Sequence, residues 1–166
     1  MVEILRSEWD APEAVALRAA QRAELDTRYA TSDHEAGPVP TAESMAVFVI
    51  AWSEGIAVGC GGLRFLGPGV AEIKRMYVVP ASRGTGVSTA LLRALEAEAG
   101  SHGITRLLLE TGVRQPDAIH FYQREGYEPI PAFGEYGSDP LARCFARLLH
   151  SGQSLENRSA TPVKPR

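Results

Sequence analysis

One short stretch of the sequence combines the residue types that bind a phosphate group. Arg83, Gly84 and Gly86 fall within four positions, and an amphipathic stretch of helical spacing follows directly. A helix N-terminus presents backbone N–H groups without partners and carries partial positive charge. Glycines let an anion approach such groups closely, and arginine adds a permanent positive charge. The stretch therefore predicts a site for a phosphorylated ligand, although a plain glycine turn with a solvated arginine fits these residues equally well.

The loop differs from the two most familiar phosphate-binding motifs. A Walker loop ends in Gly-Lys followed by Ser or Thr, and no such sequence follows Gly86. The dinucleotide-binding fingerprint needs a third glycine, where this chain has Thr89. The ligand must therefore be inferred from the surrounding sequence.

The sequence around the loop resembles the GCN5-related N-acetyltransferase (GNAT) family over about residues 45–130. The acyl-CoA loop of that family reads Arg/Gln-x-x-Gly-x-Gly/Ala, and residues 83–88 read Arg-Gly-Thr-Gly-Val-Ser. A later helix of the family carries an alanine, then an aromatic residue and tyrosine, then glycine and an aromatic residue. The matching positions here are Ala118, Phe121, Tyr122, Gly126 and Tyr127. The resemblance implies a single α/β domain with a mixed, mostly antiparallel central sheet, a splayed strand pair and flanking helices.

The resemblance also implies acetyl-CoA as the cosubstrate and no metal. Its pyrophosphate would lie on the glycine loop, and its pantetheine arm would pair with the backbone of the preceding strand. The implied contact residues are Met76, Tyr77, Val78, Arg83, Gly84, Thr85, Gly86, Val87, Ser88, Thr89 and Gln115. Two of them depart from the family, because Ser88 replaces glycine or alanine and Gln115 replaces a frequent asparagine.

Acetyl transfer to an amine needs a neutral amine and a proton for the departing thiolate. Glu72 is the first candidate for the base, and Glu110 is the second. The resemblance assigns the thiolate proton to Tyr122, although a tyrosine at such helical spacing is usually a core residue. Arg75, together with Glu110, is expected to bind the acceptor, since a bulge near Arg75 would turn a charged residue into the site. Glu72 could instead be a solvated or salt-bridged acid, and Lys74 and Arg75 could be plain surface charge.

The hydrophobic pattern predicts one domain over residues 1–150 and a polar, disordered tail over 151–166. The expected elements are a strand at 2–5, a helix at 11–29, two strands within 45–66 joined by a tight turn at 53–55, a strand ending at Pro80, a helix after the glycine loop, a strand at 103–112, a helix at 115–127 and a strand at 141–149. Residues 70–110 then form a strand–helix–strand crossover.

Composition excludes several functional classes. Of the 166 residues, 45% are hydrophobic and 22% are charged, as in globular proteins. The net charge of -3 offers no broad basic face for nucleic acid. There is no apolar run long enough to cross a membrane, and Cys60 and Cys144 are too few for a disulfide scaffold. The acidic residues near Met1 lead us to expect no secretory signal. The four histidines show no metal-ligand spacing. A cytoplasmic location is expected.

We expect an enzyme that moves an acetyl group from acetyl-CoA to a small-molecule amine, such as an amino acid or a related carboxylate, by direct attack. A protein N-terminal or lysine acetyltransferase, a non-catalytic acyl-CoA-binding or regulatory module, and a general nucleotide-phosphate binder remain alternatives. Acceptor contacts are expected from residues 28–45 and 130–140, which carry no recognisable motif. The second segment could also form a homodimer contact.

Overall fold

The computed structural model describes residues 1–34 and 36–150 of the chain. Within these residues the strands are β1 (Val2–Arg6), β2 (Val47–Ser53), β3 (Ile56–Gly67), β4 (Val70–Val78), β5 (Arg106–Gly112), β6 (Glu128–Ile130) and β7 (Ala142–Leu148). The α-helices are α1 (Pro12–Tyr29), α2 (Val87–Ser101) and α3 (Pro116–Arg124). Short 3-10 helices span Pro80–Ser82 and Gly134–Ser138. The predicted tail at 151–166 lies outside the described residues.

The strands of the described residues form one sheet in the order β1-β2-β3-β4-β5-β7-β6. β4 and β5 pair in parallel, and every other neighbouring pair is antiparallel. A parallel pair needs a long crossover connection, which α2 provides between β4 and β5. The predicted α/β fold with a mixed, mostly antiparallel sheet is therefore confirmed.

The two longer helices cover opposite faces of the sheet. On one face, Leu91 and Leu95 of α2 pack with Val49 in a large buried cluster. On the other face, Leu17 of α1 packs with Phe48. Adjacent residues of β2 thus point to opposite layers, as the alternation of a strand requires. The sheet is buried between helices at its centre, which fixes the position of the strands that carry the site.

Local sequence signals set the ends of these elements. Prolines begin α1 and α3, because the first turn of a helix needs no N–H partner for that residue. The tight turn between β2 and β3 has positive φ at Glu54 and Gly55, the backbone of a two-residue hairpin. β6 was not expected from the sequence, because a three-residue strand containing Pro129 shows no alternation. Its place beside β7 is set by pairing and not by local pattern.

β4 and β5 separate part way along their length. Their pairing runs from Val70 and Arg106 to Ile73 and Leu109, and both strands continue beyond it. Arg75 has a φ of 61°, and the register between β3 and β4 shifts beside it. A bulge of this kind bends the strand and redirects its side chains. The predicted splayed pair is present and opens a gap in the sheet, and a bulge lies beside Arg75.

Cys60 and Cys144 are buried free thiols. Among the described residues, no helix has the length and apolar character that crossing a bilayer requires.

Candidate active site

The glycine loop is shaped by two residues that no other amino acid replaces without strain. Gly84 has a φ of 73° and Gly86 a φ of 90°, in the left-handed region that disfavours side chains. A Cβ atom built on either glycine would meet no described atom within 4 Å. Space is therefore open above both. Gly86 is the N-cap of α2, and no side chain of the described residues caps this helix end. The backbone N–H groups of the first turn face this open space and suit an anion.

The Arg83 side chain turns away from the loop toward α1. Its Nε donates to the carbonyl of Val78 at 3.0 Å, and its Nη2 donates to Glu24 at 2.6 Å. This hydrogen bond to Glu24 raises the pKa of the Arg83 guanidinium above its ordinary value. Glu24 also accepts from Arg28 at 3.1 Å. One carboxylate thus holds two guanidinium groups at the mouth of the loop.

A cavity of about 540 Å³ extends from this loop along β4 to α3. The expected cosubstrate residues that line it are Met76, Tyr77, Val78, Arg83, Gly84, Gly86, Ser88, Thr89 and Gln115. Thr85 and Val87 do not line it. The Thr85 hydroxyl donates to the carbonyl of Ser82, and the Val87 side chain is buried in the core. These two positions can contribute only backbone groups.

A second, smaller cavity of about 110 Å³ adjoins the first. The two share Gln21, Leu25, Met76, Gln115, Ala118 and Tyr122 as wall residues. The second cavity is also lined by Arg75 and Glu110, which the sequence predicted, by Lys74, which was weighed beside Arg75, and by His34, which no motif indicated. The gap between β4 and β5 thus brings Tyr122, Met76, Arg75 and Glu110 to one place.

Tyr122 stands at the junction of the two cavities. Its side chain is buried, and the burial raises the pKa of the phenol above its ordinary value. The hydroxyl is therefore held in its protonated form, as a proton donor requires. Tyr122 also packs edge-on against Tyr127 in the core. The core interpretation and the catalytic interpretation of this residue are thus compatible.

Glu72 occupies a different environment, at the paired end of β4. It is 0% exposed, so the alternative of a solvated surface acid is wrong. Arg64 donates to one of its oxygens and Tyr136 to the other, each at 2.6 Å. The Lys74 ammonium lies 3.9 Å from the carboxylate and donates to the Tyr136 hydroxyl at 2.9 Å. Glu72 lines neither cavity, so a role as base stays a prediction that the geometry does not favour.

Gln21 and Gln115 hold opposite sides of the junction. Gln21 Nε2 donates to the backbone carbonyl of Met76 at 2.9 Å, which ties α1 to the bulged strand. Gln21 Oε1 is buried without a hydrogen-bond partner among the described residues. Gln115 Nε2 lies 3.5 Å from the Tyr29 hydroxyl, so this longer amide reaches across the second cavity.

The structure also reveals groups that sequence reasoning missed. His34 and Gln21 line the cavities but belong to no motif, so only the folded chain places them there. Residues 130–140 line neither cavity; Tyr136 from this segment reaches the buried Glu72 instead. Over the described parts of the chain, no cluster of His, Cys, Asp and Glu has the arrangement of a metal site.

Comparison with known proteins agrees with this geometry. The Acetyltransferase (GNAT) family matches residues 2–127. A solved structure from Klebsiella pneumoniae, named for acyl-CoA N-acyltransfer, is 34% identical, with a TM-score of 0.78 over 90% of this chain and 99% of that one. A GNAT acetyltransferase from Elizabethkingia anophelis with acetyl-CoA bound is 19% identical, with a TM-score of 0.64 over 89% and 98% of the two chains. Its likeness shows the fold alone.

The curated relatives match over a shorter stretch. "IAA acetyltransferase" from Azospirillum brasilense is 42% identical over 96 residues, which are 57% of this chain and 63% of that protein. The match thus spans less than two thirds of that relative. The fold and the splayed strand pair define the class of acyl-CoA N-acyltransferase folds. The chain belongs to the Acetyltransferase (GNAT) family.

Proposed function

We propose that the protein transfers an acetyl group from acetyl-CoA to the amine of a small molecule. The observation that carries this proposal is the meeting of two cavities at Met76 and Tyr122, in the gap between β4 and β5. The larger cavity suits a long phosphorylated cosubstrate, and the smaller one suits its acceptor. The relative with acetyl-CoA bound supports the choice of cosubstrate through the shared fold.

The residues of the larger cavity fit acetyl-CoA. The open space above Gly84 and Gly86 admits a diphosphate to the first turn of α2. Arg28, Arg83 and Arg124 add positive charge to the wall. The backbone of residues 76–78, on the part of β4 that β5 leaves unpaired, is available to an extended pantetheine arm.

Three groups of this chain divide the chemistry. The Met76 N–H is assigned the role of oxyanion donor. It stabilises the negative charge that develops on the thioester oxygen as the C–N bond forms. Gln21 holds the carbonyl of the same residue and so fixes the strand at that point. The protonated hydroxyl of Tyr122 then supplies a proton to the departing sulfur.

The lining of the smaller cavity suits a small acceptor molecule that carries an ammonium group and a carboxylate. Glu110 can attract an ammonium group, and Arg75 and Lys74 offer positive charge for a carboxylate in the same wall. An amino acid or a related aminocarboxylate fits this arrangement. A volume of about 110 Å³ favours a small molecule over a protein side chain presented by a large partner.

The buried cluster around Glu72 supports the site indirectly. Lys74 lines the smaller cavity and is held by Tyr136, which in turn donates to Glu72. We therefore give Glu72 a positioning role, through Tyr136 and Lys74, in place of a direct role as base. A non-catalytic acyl-CoA-binding module is the remaining alternative from another class.

Thiol release from acetyl-CoA, measured across a panel of amines, tests the proposal. We expect turnover with aminocarboxylates and little with peptides. Calorimetry with CoA and ATP runs alongside it. Tight binding of CoA without turnover of any amine would make the protein a binding module, and preference for ATP would remove the cosubstrate assignment.

A further inference from the structure

A histidine and a carboxylate form a bonded pair in the wall of the acceptor cavity. His34 follows α1 in the chain, and its Nε2 lies 2.7 Å from Oδ1 of Asp26 on that helix. The imidazole side chain is 4% exposed and stacks on Tyr29 at 5.4 Å between ring centroids. Two contacts therefore fix both the position and the plane of the ring.

The pairing also fixes which ring nitrogen can accept a proton. An ionised carboxylate only accepts hydrogen bonds, so the neutral imidazole donates its N–H from Nε2 to Asp26. Nδ1 then carries the lone pair. The Arg22 guanidinium lies 3.3 Å from the same Asp26 oxygen and forms an ion pair with it.

The ring shares its cavity with the groups of the proposed reaction. His34 lines the 110 Å³ cavity together with Met76, Tyr122 and Glu110. The charged and titratable groups around His34 are Asp26, Arg22, Tyr29, Arg114 above the Tyr29 ring, and Lys74, Arg75 and Glu110 across the cavity.

We propose that His34, oriented by Asp26, is the base that takes a proton from the acceptor amine. The inference rests on the proposed acetyl transfer and names a residue for its first step. A carboxylate that orients an imidazole, which in turn faces a reacting group, is an arrangement used for base catalysis on unrelated folds. Asp26 acts through His34 and is therefore a positioning residue.

The protons of the proposed reaction balance with His34 and Tyr122 as the groups that exchange them. The acceptor ammonium gives one proton to Nδ1 of His34, and the neutral nitrogen then attacks the thioester carbonyl carbon. The C–N bond forms, the C–S bond breaks, and Tyr122 protonates the leaving sulfur. The second proton of the attacking nitrogen restores the Tyr122 hydroxyl, and His34 releases its proton to solvent. The products are the acetylamide, CoA thiol and one proton.

Imidazole suits this step better than either glutamate. In model peptides the pKa of imidazole is about 6.5 and that of a glutamate carboxyl about 4.3, and a base works best when its pKa lies near the working pH. Both oxygens of Glu72 already accept hydrogen bonds at the paired end of β4. Glu110 has Lys74 and Arg75 as cavity neighbours, an environment that suits charge attraction.

The test compares His34→Gln with wild type over a range of pH, using one good acceptor. We expect kcat/KM for the acceptor to fall ~100-fold near neutral pH, the scale of general-base catalysis. The deficit should shrink at alkaline pH, because the amine then loses its proton without help. Asp26→Asn should give a smaller loss of the same kind. Added imidazole should partly restore His34→Ala, which a merely structural role would not allow.

Two measurements without turnover accompany the kinetics. The affinity for acetyl-CoA, by calorimetry, should be unchanged in His34→Gln. In the wild type, the NMR signal of the His34 ring should move when the acceptor is added. His102→Gln is the matched control, because His102 is exposed and lines neither cavity.

The inference would be overturned if the ratio of kcat/KM between His34→Gln and the wild type did not change with pH. A pH-dependent loss in Glu110→Gln with normal rates in His34→Gln would also overturn it and would move the base to Glu110. If the wild type turns over no amine at all, the proposed function fails, and the role of His34 fails with it. If the wild type turns over the acceptor normally and His34→Gln does so equally well, only the assignment of the base is overturned.

Discussion

The two ends of the β4–β5 pair contrast sharply although the same two strands form both. At the paired end, Glu72 is buried and each of its carboxylate oxygens accepts a hydrogen bond. At the separated end, Glu110 is only half-buried and lines a cavity. Both residues are glutamates on strands of the same pair, Glu72 on β4 and Glu110 on β5. The separation of the strands decides which glutamate is buried in a hydrogen-bonded cluster and which lines a cavity.

The largest effect should come from removing the negative charge of Glu72 at the paired end. Glu72→Gln leaves the positive charges of Arg64 and Lys74 without their buried carboxylate. Breaking a buried ion pair costs about 3–5 kcal/mol, so we expect a loss of that size in the free energy of unfolding. Denaturant unfolding measures it. Glu110→Gln is the matched control and should cost much less, so equal losses would remove the contrast between the two ends.

A change at the separated end should affect rate and not stability. Tyr122→Phe keeps the ring in its packing and removes only the proton donor. We expect kcat to fall ~100-fold, or about 2.7 kcal/mol in activation free energy, with nearly unchanged acetyl-CoA affinity. Steady-state kinetics and calorimetry together check this. Unchanged turnover would return Tyr122 to a purely structural role.

Because burial raises the pKa of the Tyr122 phenol, the wild type should retain this proton donor at pH values where an exposed tyrosine ionises.

The smallest effect is expected in the glycine loop, which follows the separated end of β4. Gly86→Ala forces a side chain onto a φ of 90°, and Gly55→Ala does the same at a φ of 78° in the β2–β3 turn. Each should lose about 1 kcal/mol of stability. Only Gly86→Ala should also weaken acetyl-CoA binding, because its Cβ would occupy the space above the loop. Similar affinities for both variants would place the diphosphate elsewhere.

Sequence reasoning succeeded where the signal is local. The glycine loop before α2 and the start of α3 at Pro116 both follow from residues close together in the chain. It failed where residues distant in sequence meet. Tyr136 and Glu72 are 64 positions apart, and nothing local indicates that the first satisfies the second. His34 was treated only as one of four histidines without metal spacing. Its role depends on the path of the segment after α1, which side-chain contacts determine.

The parallel pairing of β4 with β5 has a consequence for the order of folding. β2, β3 and β4 follow one another as antiparallel neighbours through short turns, whereas β4 meets β5 only after the chain has passed through α2. Closing a longer loop costs more entropy before any contact compensates for it. We expect pulsed hydrogen exchange to protect β2–β4 before β5–β7, and simultaneous protection would contradict this order. The gap that holds both cavities then exists only after β5 docks, so the ligand-binding groups are assembled last.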